Sequence, residues 1–405
     1  MKKISLISAF LGTMIEVYDF SVFAFLIPIL SEVFFPFQDK NTAINFTLLA
    51  YVISYCIKPF GAIGFGYLID RYGRKNLLLF TTLLMTFATA TIGLLPHKIL
   101  GMYYGAGLIA CRIIQGLAIS GEFSSAIILA VEQGREKPAF SGSLAFMGGI
   151  LGLFFANLSA LILLYVMPHN LIVQYAWRAP FLIGAICCLV LFYIRNKIDD
   201  DLRVVSLSVG FIDLIKNYKS ELVTTFVVSS LSASAFYMTF VYMPVTLSEL
   251  LNRHSHQQAV FITLIILVFY FIALPLGGIM ADKIGVLRQI KIASFLYLLF
   301  AYTCFAILDK INITSCIIVL TLFALIQAFL NSALPAFMIA QFPPNQRGKA
   351  LAISYNISLT IFAGLMPYLI LTSENYMNPG LPISICAILS ILTTHFIRVK
   401  KHGYL

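Results

Sequence analysis

The sequence has few charged residues for its length. Only 11% of its 405 residues are charged, whereas 60% are hydrophobic. A soluble domain carries about 25% charged residues, so this chain cannot cover a soluble surface of its size. Its apolar runs exceed the roughly 18–20 residues that cross a hydrocarbon core, and they are continuous, unlike the short alternating strands of a membrane barrel. We therefore predict an all-α polytopic membrane protein.

The sequence also lacks paired cysteines and clustered metal ligands. Its seven cysteines are odd in number, lie in apolar runs and form no C-x-x-C pair, which favours small core residues over disulfide or metal chemistry. The six histidines lie in loops or near the ends of apolar runs. No nucleophile with a base is visible and no soluble sensor domain fits. We expect neither an enzyme nor a sensor, and no metal or cofactor.

The net charge of +10 is carried mainly by short loops between the apolar segments. Every second loop holds a single cation, namely Lys40, Lys98, Arg253 or Lys310, with Arg178 at the mouth of one segment. The other loops and both ends of the chain hold many more. This asymmetry is typical of membrane orientation signals rather than of nucleic-acid binding, and it predicts that both termini are cytoplasmic.

Twelve apolar segments, called span one to span twelve, can be counted. Their approximate bounds are 4–30, 44–69, 77–96, 101–131, 140–166, 178–195, 222–249, 257–281, 288–308, 312–341, 348–372 and 381–398. Span one follows Lys2 and Lys3, but it is too long for a signal peptide and has no small-residue cleavage site, so we interpret it as retained.

The longest hydrophilic connector divides the chain into two groups of six spans. We predict an N-terminal bundle at 1–196 (the first half), a cytoplasmic linker at 197–221 and a C-terminal bundle at 222–405 (the second half). Within the linker, "VGFIDLIKNYK" is predicted to form an amphipathic helix on the membrane surface.

Two loops repeat one motif. "GYLIDRYGRK" begins at Gly66 and "GIMADKIG" begins at Gly278; both fit G-x-x-x-D-[RK]-x-G and lie between the second and third spans of their halves. Internal repeats of this kind are characteristic of transporters, whose substrate site lies between the halves. The acidic residue can accept hydrogen bonds from the N-terminal amides of a neighbouring helix. We predict a gating latch rather than topology signals alone; its candidate residues are Gly66, Asp70, Arg71, Gly73, Arg74 and Asp282.

The first copy of the motif resembles the loop motif of the major facilitator superfamily. Further stretches resemble its metabolite:proton symporter branch, which includes proline/betaine, dicarboxylate, citrate and shikimate carriers. These stretches are "GTMIEVYDFSVFAFLIPILSEVFFP", "RIIQGLAISGEFSSAIILAVE", "YAWRAPFLIG" and "LPAFMIAQFPPNQRGKALAISYNISLTIFAGLMPYL". The resemblance covers nearly the whole chain. It implies two pseudo-symmetric six-helix bundles, alternating access and proton-driven uptake by a monomer in a bacterial inner (plasma) membrane.

The sequence departs from this branch at three places. The second motif copy stops at "DKIGVLR" instead of a full basic run, and Lys58 precedes Pro59 where the branch often has arginine. No long tail follows Leu405, so we do not expect osmosensing that depends on such a tail.

Five ionisable residues fall deep within the predicted spans, and all lie in the first half. They are Glu16, Asp19, Lys58, Arg112 and Glu122. Such groups are costly in a membrane and are functional candidates by default. Glu16 and Asp19 are three residues apart and share a helix face. Two carboxylates in one dry place rarely both ionise, so one of them could carry a proton. Alternatively, each could pair with Lys58 or Arg112.

Span four carries a polar stripe. Arg112, Gln115, Ile119 and Glu122 recur at helical spacing and should face a cavity. Arg112 could hold a substrate carboxylate in a bidentate fork, and Glu122 could couple protons or be a fixed partner of Arg112. Glu132, at the end of the span, is predicted to act in gating by pairing with Arg71 or Arg74.

The second half offers neutral polar and aromatic candidates instead of charges. The predicted substrate-binding residues there are Tyr237, Gln327, Asn331, Tyr355 and Asn356. They could line a site for an apolar or quaternary-ammonium group, or they could form ordinary hydrogen bonds between helices. Our leading hypothesis is proton-coupled symport of a small organic acid or zwitterion. The alternative is an exporter, or a carrier of a larger polycarboxylate such as a siderophore.

Overall fold

A computed structural model describes residues 2–37, 39–72, 74–96, 103–197, 211–247, 255–308, 310, 312–372 and 378–396. Among them, the side chains of 2–9, 66–72, 74, 122 and 211–212 are not described. Every regular element within this described part of the chain is helical. Ten of the helices are long and apolar enough to cross a membrane, and a bent pair in span one makes an eleventh. Span twelve is a shorter apolar helix of 17 residues.

The helices follow the predicted order. In the first half they are Lys2–Phe25 and Ile27–Phe34 (span one), Lys40–Tyr72 (span two), Arg74–Leu94 (span three), Tyr104–Ala118 and Glu122–Gln133 (span four), Pro138–Val166 (span five), the short segments His169–Leu171 and Ile172–Ala176, and Arg178–Asn196 (span six). In the second half they are Phe211–Asn217, then Lys219–Tyr237, Met238–Tyr242 and Met243–Val245 (span seven), His256–Ile284 (span eight), Val286–Ile307 (span nine), Ile313–Ala340 (span ten), Arg347–Leu359, Thr360–Leu365 and Met366–Thr372 (span eleven), and Gly380–Phe396 (span twelve).

Span one is broken at Leu26. The two helical pieces on either side of this residue are inclined by 68°. Pro28 is the second residue of the second piece, and a proline there removes one backbone donor and clashes with the carbonyl one turn earlier. The break separates the part of span one that carries Glu16 and Asp19 from the part that carries Phe34.

Span two begins with a side-chain cap. The Asp39 carboxylate accepts hydrogen bonds from the Thr42 hydroxyl at 2.5 Å and from the Thr42 backbone N–H at 2.9 Å. These bonds hold the pKa of the exposed Asp39 carboxyl below its usual value. The cap fixes where the helix that carries Lys58 starts.

Span four is interrupted between Ala118 and Glu122, which divides the stripe predicted from its sequence. The break contains Ser120 and Gly121, and the Ser120 hydroxyl donates to the Leu117 carbonyl at 2.8 Å. A Cβ at Gly61 would come within 2.6 Å of that hydroxyl oxygen. The small residues therefore let spans two and four cross closely at the point where span four changes direction.

Spans seven and eleven each contain a π-helical segment that ends two residues before a proline. Met238–Tyr242 precedes Pro244, and Thr360–Leu365 precedes Pro367. A wider turn accommodates the backbone carbonyls that a proline leaves without its usual donor. Both segments lie in helices that form the wall of the cavity described below.

Spans five and eight join the two halves along their length. A Cβ at Gly278 would lie 2.8 Å from the Phe140 Cα and 2.7 Å from the Ser143 hydroxyl oxygen, so the helices touch there because Gly278 has no side chain. Gly142 makes a similar approach to Pro335 of span ten. The core of the molecule thus runs across the boundary between the halves.

Residues 198–210 of the predicted linker lie outside the described residues, and the exact division 1–196, 197–221 and 222–405 stays a prediction. The last part of the linker forms the helix Phe211–Asn217. Its Leu214 is buried against Phe342 and Ala350 at the ends of spans ten and eleven. This helix therefore packs against the second half through Leu214, and its place on a membrane surface stays a prediction.

Candidate functional site

A central cavity lies between the two halves. Its volume is about 100 Å³, and spans one, two, four and five of the first half and spans seven, ten and eleven of the second half line it. Two of the five deep ionisable candidates, Glu16 and Lys58, belong to this wall. The site is therefore shared between the halves, as the internal repeat predicts for a site of this kind.

The two charged groups of the wall have opposite sign. Glu16 comes from span one and Lys58 from span two, and both side chains are buried. The Lys58 ammonium lies 4.2 Å from the centre of the Tyr55 ring and 4.6 Å from that of Phe20. Such cation–π contacts are favourable and strengthen when water is excluded. They hold the ammonium group at the cavity wall, where a ligand carboxylate could reach it.

Aromatic rings complete the wall and cross between the halves. Tyr55 meets Tyr237 of span seven edge-on, with ring centres 5.6 Å apart. Phe123 of span four stacks on Tyr355 of span eleven at 5.7 Å. The Tyr51 hydroxyl lies 3.1 Å from that of Tyr55. The cavity therefore presents ring faces and hydroxyl groups beside one positive and one negative side chain.

The predicted polar residues of the second half divide into two sets. Asn331, Tyr237, Tyr355 and Asn356 line the cavity. The Asn356 amide donates across the halves to the Ser120 carbonyl at 3.1 Å, at the break in span four. Its position links the second half directly to the interrupted helix of the first.

Gln327 does not line the cavity and instead forms hydrogen bonds between helices. Its amide donates to the Ser232 carbonyl at 3.0 Å, and its oxygen accepts from the Tyr297 hydroxyl. Nearby, the Ser232 hydroxyl donates to Asn331 at 2.6 Å, and the Asn331 amide donates to the Tyr270 hydroxyl at 2.8 Å. This network joins four helices of the second half and fixes the orientation of Asn331.

Arg112 and Gln115 lie one layer behind the cavity wall. The Arg112 guanidinium is fully buried and packs 4.3 Å from the ring centres of both Phe20 and Phe23. Its two terminal nitrogens donate to the Gln115 side chain at 2.8 Å and to the Ser54 hydroxyl at 2.9 Å. Phe20 touches both Arg112 and Lys58, and its ring stands between Arg112 and the cavity.

Asp19 is connected to Arg112 by a chain of neutral groups. Gln115, which accepts from Arg112, donates to the Thr89 hydroxyl at 2.8 Å, and Thr89 donates to one Asp19 oxygen at 3.1 Å. The Cys188 thiol donates to the same oxygen at 3.1 Å. The other oxygen is buried without a donor among the described residues. Arg112, one of the two cations predicted to pair with Asp19, is thus connected to it through Thr89 and Gln115 rather than by direct contact.

The sequence reasoning missed most of the aromatic wall. Tyr51, Tyr55 and Lys58 are spaced at i, i+4 and i+7 on span two, which is the signal that would have found them. Phe20 is one turn after Glu16 in the same way. Arg195 was also missed, because its place at the end of span six made it look like a loop cation, yet only 5% of its surface is exposed.

The latch motif is partly described at the end of the bundle where the basic loops lie, which we call the basic end. The Asp282 carboxylate accepts from the backbone N–H groups of Ala139 and Phe140, at 2.9 and 3.0 Å. These amides begin span five, so an acidic residue of the second half caps a helix of the first, as predicted for this motif. Gly285, the last glycine of this copy, has φ +98°, which only glycine adopts readily.

The first copy of the motif cannot be compared in the same way. Gly66 lies in the described helix Lys40–Tyr72. Gly73 and the side chains of Asp70, Arg71, Arg74 and Glu122 lie outside the described residues. Glu132 has a different described partner from the one predicted: its carboxylate pairs with Arg347 at the start of span eleven, at 2.7 Å. This ion pair again joins the two halves at the basic end.

The halves also meet at the opposite end of the bundle. The His256 imidazole donates to the Phe25 carbonyl, at 3.1 Å, beside the break in span one. The neighbouring Gln257 donates to the Leu164 carbonyl of span five at 2.6 Å. Among the described residues, no three His, Cys, Asp or Glu side chains are grouped as metal ligands.

Comparisons with known proteins agree on the family and the fold. The sequence profile of the Major Facilitator Superfamily matches residues 9–367. A proline/betaine transporter of Escherichia coli (strain K12) is 26% identical, covering 95% of this chain and 81% of that protein. The structure of the proton:xylose symporter XylE bound to 6-bromo-6-deoxy-D-glucose is similar with a TM-score of 0.76 at 16% identity, covering 100% and 97% of the two chains. XylE from E. coli in its inward open conformation gives a TM-score of 0.67 at 18% identity, covering 100% and 99%. The predicted fold class is confirmed, and these relatives are transporters, not enzymes.

Proposed function

The chain belongs to the Major Facilitator Superfamily, and on that premise we propose that it is a proton-coupled symporter for a small zwitterion. The observation that carries the proposal is the central cavity, whose wall combines Lys58, Glu16 and aromatic rings from both halves. A zwitterion offers a carboxylate to the ammonium group and a cationic end to the rings and to Glu16. An organic acid without a cationic end would use only Lys58.

The size of the cavity supports a small substrate. With the halves in contact at both ends of the bundle, the volume is about 100 Å³. For comparison, an apolar cavity of about 150 Å³ binds benzene. A compact solute of proline or betaine size suits this volume better than a large polycarboxylate such as a siderophore. The relative in E. coli, which is named as a proline/betaine transporter, points the same way.

Asp19 and Glu16 are our candidates for the groups that carry the proton in turn: Asp19 binds it first, and Glu16, on the same helix face, carries it next. Asp19 is buried outside the substrate cavity, and its hydrogen-bond chain through Thr89 and Gln115 ends on Arg112. In this role Arg112 stabilises charge on Asp19 at a distance, while Lys58 takes the part of substrate cation that the sequence had suggested for Arg112. If the packing of the halves against span four changes, this series of hydrogen bonds changes too. Protonation of Asp19 is thereby coupled to movement of the halves.

Alternating access requires contacts at each end of the bundle that water can replace when the helices separate. At the basic end these are the Asp282 cap on span five and the Glu132–Arg347 ion pair. At the opposite end they are the His256 and Gln257 hydrogen bonds to backbone carbonyls. We propose that each set opens in turn, with the basic end facing the cytoplasm of a bacterial cell and both termini on that side. Gly66, Asp70, Arg71, Gly73 and Arg74 remain candidates for the same latch, and Glu122 for coupling.

A ligand panel on the purified protein tests the substrate class. Glycine betaine, proline, a dicarboxylate, a tricarboxylate and choline, which has the cation but no carboxylate, are added in thermal-shift assays. A ligand that binds the folded state raises the melting temperature by mass action. We expect the zwitterions to stabilise the protein most, choline less and the tricarboxylate not at all. Stabilisation by the tricarboxylate alone would contradict the proposal and support the polycarboxylate alternative.

Proteoliposomes test the coupling separately. Uptake of the stabilising ligand is measured with and without an imposed pH gradient, acidic outside, and compared with exchange of labelled for unlabelled ligand at equal pH. A symporter concentrates the ligand only with the gradient but exchanges it in both conditions. Loss of ligand from preloaded liposomes under the same gradient, acidic outside, would instead identify the protein as a proton-driven exporter.

A further inference from the structure

A second, smaller cavity lies within the first half, between spans one, three, four and six. We call it the side cavity; its polar wall consists of Glu16, Thr81, Thr82, Cys188 and Arg195. Its volume is about 20 Å³. A cavity needs about 10–15 Å³ on this measure, together with polar partners, to hold a water molecule. The side cavity meets both requirements.

Among the described residues, Glu16 alone borders both cavities. Its backbone position on span one places its side chain between the substrate cavity, where Lys58 lies, and the side cavity, where Arg195 lies. Gly12, one turn earlier, contributes no side chain to the side cavity and so leaves room beside the carboxyl group. A carboxylate between two cations in different compartments can be balanced by either of them.

Arg195 is well held in this position. Its side chain is buried in the last turn of span six, and one terminal nitrogen donates to the Thr82 hydroxyl at 2.5 Å. The next residues, Asn196 and Lys197, are exposed at the basic end. Burying an arginine costs free energy unless a partner compensates its charge. Here it lies between the side cavity and the solvent of the basic end.

We propose that the side cavity is a water-filled exit for the coupled proton, separate from the path of the substrate, and that Arg195 holds Glu16 as a carboxylate when this proton has left. The inference rests on the proposed proton coupling. In the step itself, the O–H bond of the Glu16 carboxyl breaks, a water of the side cavity accepts the proton, and bulk water at the basic end receives it. The negative charge left on Glu16 is balanced by Arg195, which keeps its own proton throughout.

The surroundings of Glu16 contain few other groups that could take this role. Span one itself contributes Asp19, which is joined to the wall of the side cavity through the Cys188 thiol. Span two contributes Lys58, span four contributes Arg112 behind Phe20, and span six contributes Cys188 and Arg195, with Cys187 in the neighbouring apolar cluster. The described part of span three supplies the hydroxyl groups of Thr81, Thr82 and Thr89. Among these groups, Arg195 is the cation on the side of the basic end.

The first experiment replaces the charge of Arg195. Arg195→Gln removes it, whereas Arg195→Lys keeps it, and both variants are reconstituted in liposomes. For Arg195→Gln we expect ligand exchange at equal pH within about twofold of the wild type, because the substrate cavity is intact. We expect gradient-driven uptake to fall at least tenfold and its pH profile to move to higher pH, because Glu16 then keeps its proton more readily. Arg195→Lys should restore most of the uptake.

The second experiment fills the side cavity without touching its charges. Ala118 lines this cavity and is absent from the wall of the central one. Ala118→Val should slow gradient-driven uptake and proton release, followed with a pH-sensitive dye inside the liposomes, while exchange continues. The matched control is Ala110→Val, the same change on the same helix at an exposed position. It should behave as the wild type does.

The outcomes separate this inference from the proposed function. If the wild type shows no gradient-driven uptake, the proposed symport itself is wrong. If the wild type is proton-driven but Arg195→Gln keeps its uptake and pH profile, the side exit is wrong. Equal loss of exchange and uptake in Arg195→Gln and Arg195→Lys would show a structural role and also overturn the inference. If Arg195→Gln does not fold, an Ala118→Val protein with normal uptake overturns it.

Discussion

The two halves of the bundle have the same architecture but different interiors. The first half buries Glu16, Asp19, Lys58, Arg112 and Arg195. The interior of the second half, within the described residues, uses neutral groups at the corresponding depth, with Ser232, Gln327 and Asn331 joined to tyrosine hydroxyls. Arg347 is the buried cation of the second half, but it lies at the basic end and pairs with Glu132.

This difference indicates a division of roles between the halves. Proton movement requires groups that change charge, and all the deep candidates for this are in the first half. The second half supplies shape, ring faces and hydrogen bonds, which decide which solute fits. Both kinds of group meet in the wall of the substrate cavity. The following substitutions test whether the roles are really separate, beginning with the largest expected effect.

Asp19→Asn should abolish gradient-driven uptake, by a hundredfold or more, and leave exchange at equal pH partly intact. Asparagine keeps the size of the side chain and can still accept from Thr89, but it cannot bind and release a proton at physiological pH. Both activities are measured in proteoliposomes. Asp213→Asn, the same change at an exposed position of the helix Phe211–Asn217, is the control. Unchanged uptake in Asp19→Asn would place the proton carrier elsewhere.

Lys58→Met should weaken the binding of carboxylate-bearing ligands about tenfold or more, because it removes the cation of the cavity wall but keeps its length. Binding of choline, which has no carboxylate, should change little. Affinities are compared by titration calorimetry, with Lys40→Met at the exposed start of the same helix as control. Equal losses for choline and betaine would show that Lys58 does not act on the carboxylate.

Tyr237→Leu should weaken the binding of quaternary-ammonium ligands by roughly two- to thirtyfold, since a cation–π contact contributes about 0.5–2 kcal/mol. The number of protons carried per substrate should not change, because Tyr237 belongs to the second half. Tyr302→Leu, at an exposed position of span nine, is the control. An altered proton stoichiometry would break the division between the halves.

Glu132→Gln should have the smallest effect, a change of a few fold in the fraction of molecules open at the basic end. Glutamine can still accept a hydrogen bond from the buried Arg347, and Asp282 still holds span five. The fraction is read from distances between spin labels at exposed positions 137 and 345, with Glu136→Gln as control. A fully open population would show that the pair, rather than the Asp282 cap, holds this end closed.

The sequence predicted the architecture better than the site. Continuous apolar runs, the loop cations and the repeated motif are local signals, which can be read without knowing how the helices pack. The repeated motif, for example, predicted that its acidic residue caps a helix, and Asp282 does so. The position of Arg112 depended on the break at Ser120 and Gly121, where span four turns and Phe20 comes between the guanidinium and the cavity. Arg195 looked like a loop residue because helix ends cannot be read to within one turn. Residue spacing alone therefore predicts neither the position of Arg112 behind Phe20 nor the burial of Arg195.

The cap on span five has a consequence for speed. The carboxylate of Asp282 and the two amides that it binds lie at the end of the bundle, where water can replace each partner as the helices separate. Opening therefore exchanges hydrogen bonds instead of breaking them without replacement. An enthalpic barrier built in this way is low, so the rate of the cycle would be set by the chemistry of the buried charges and not by the release of the latch.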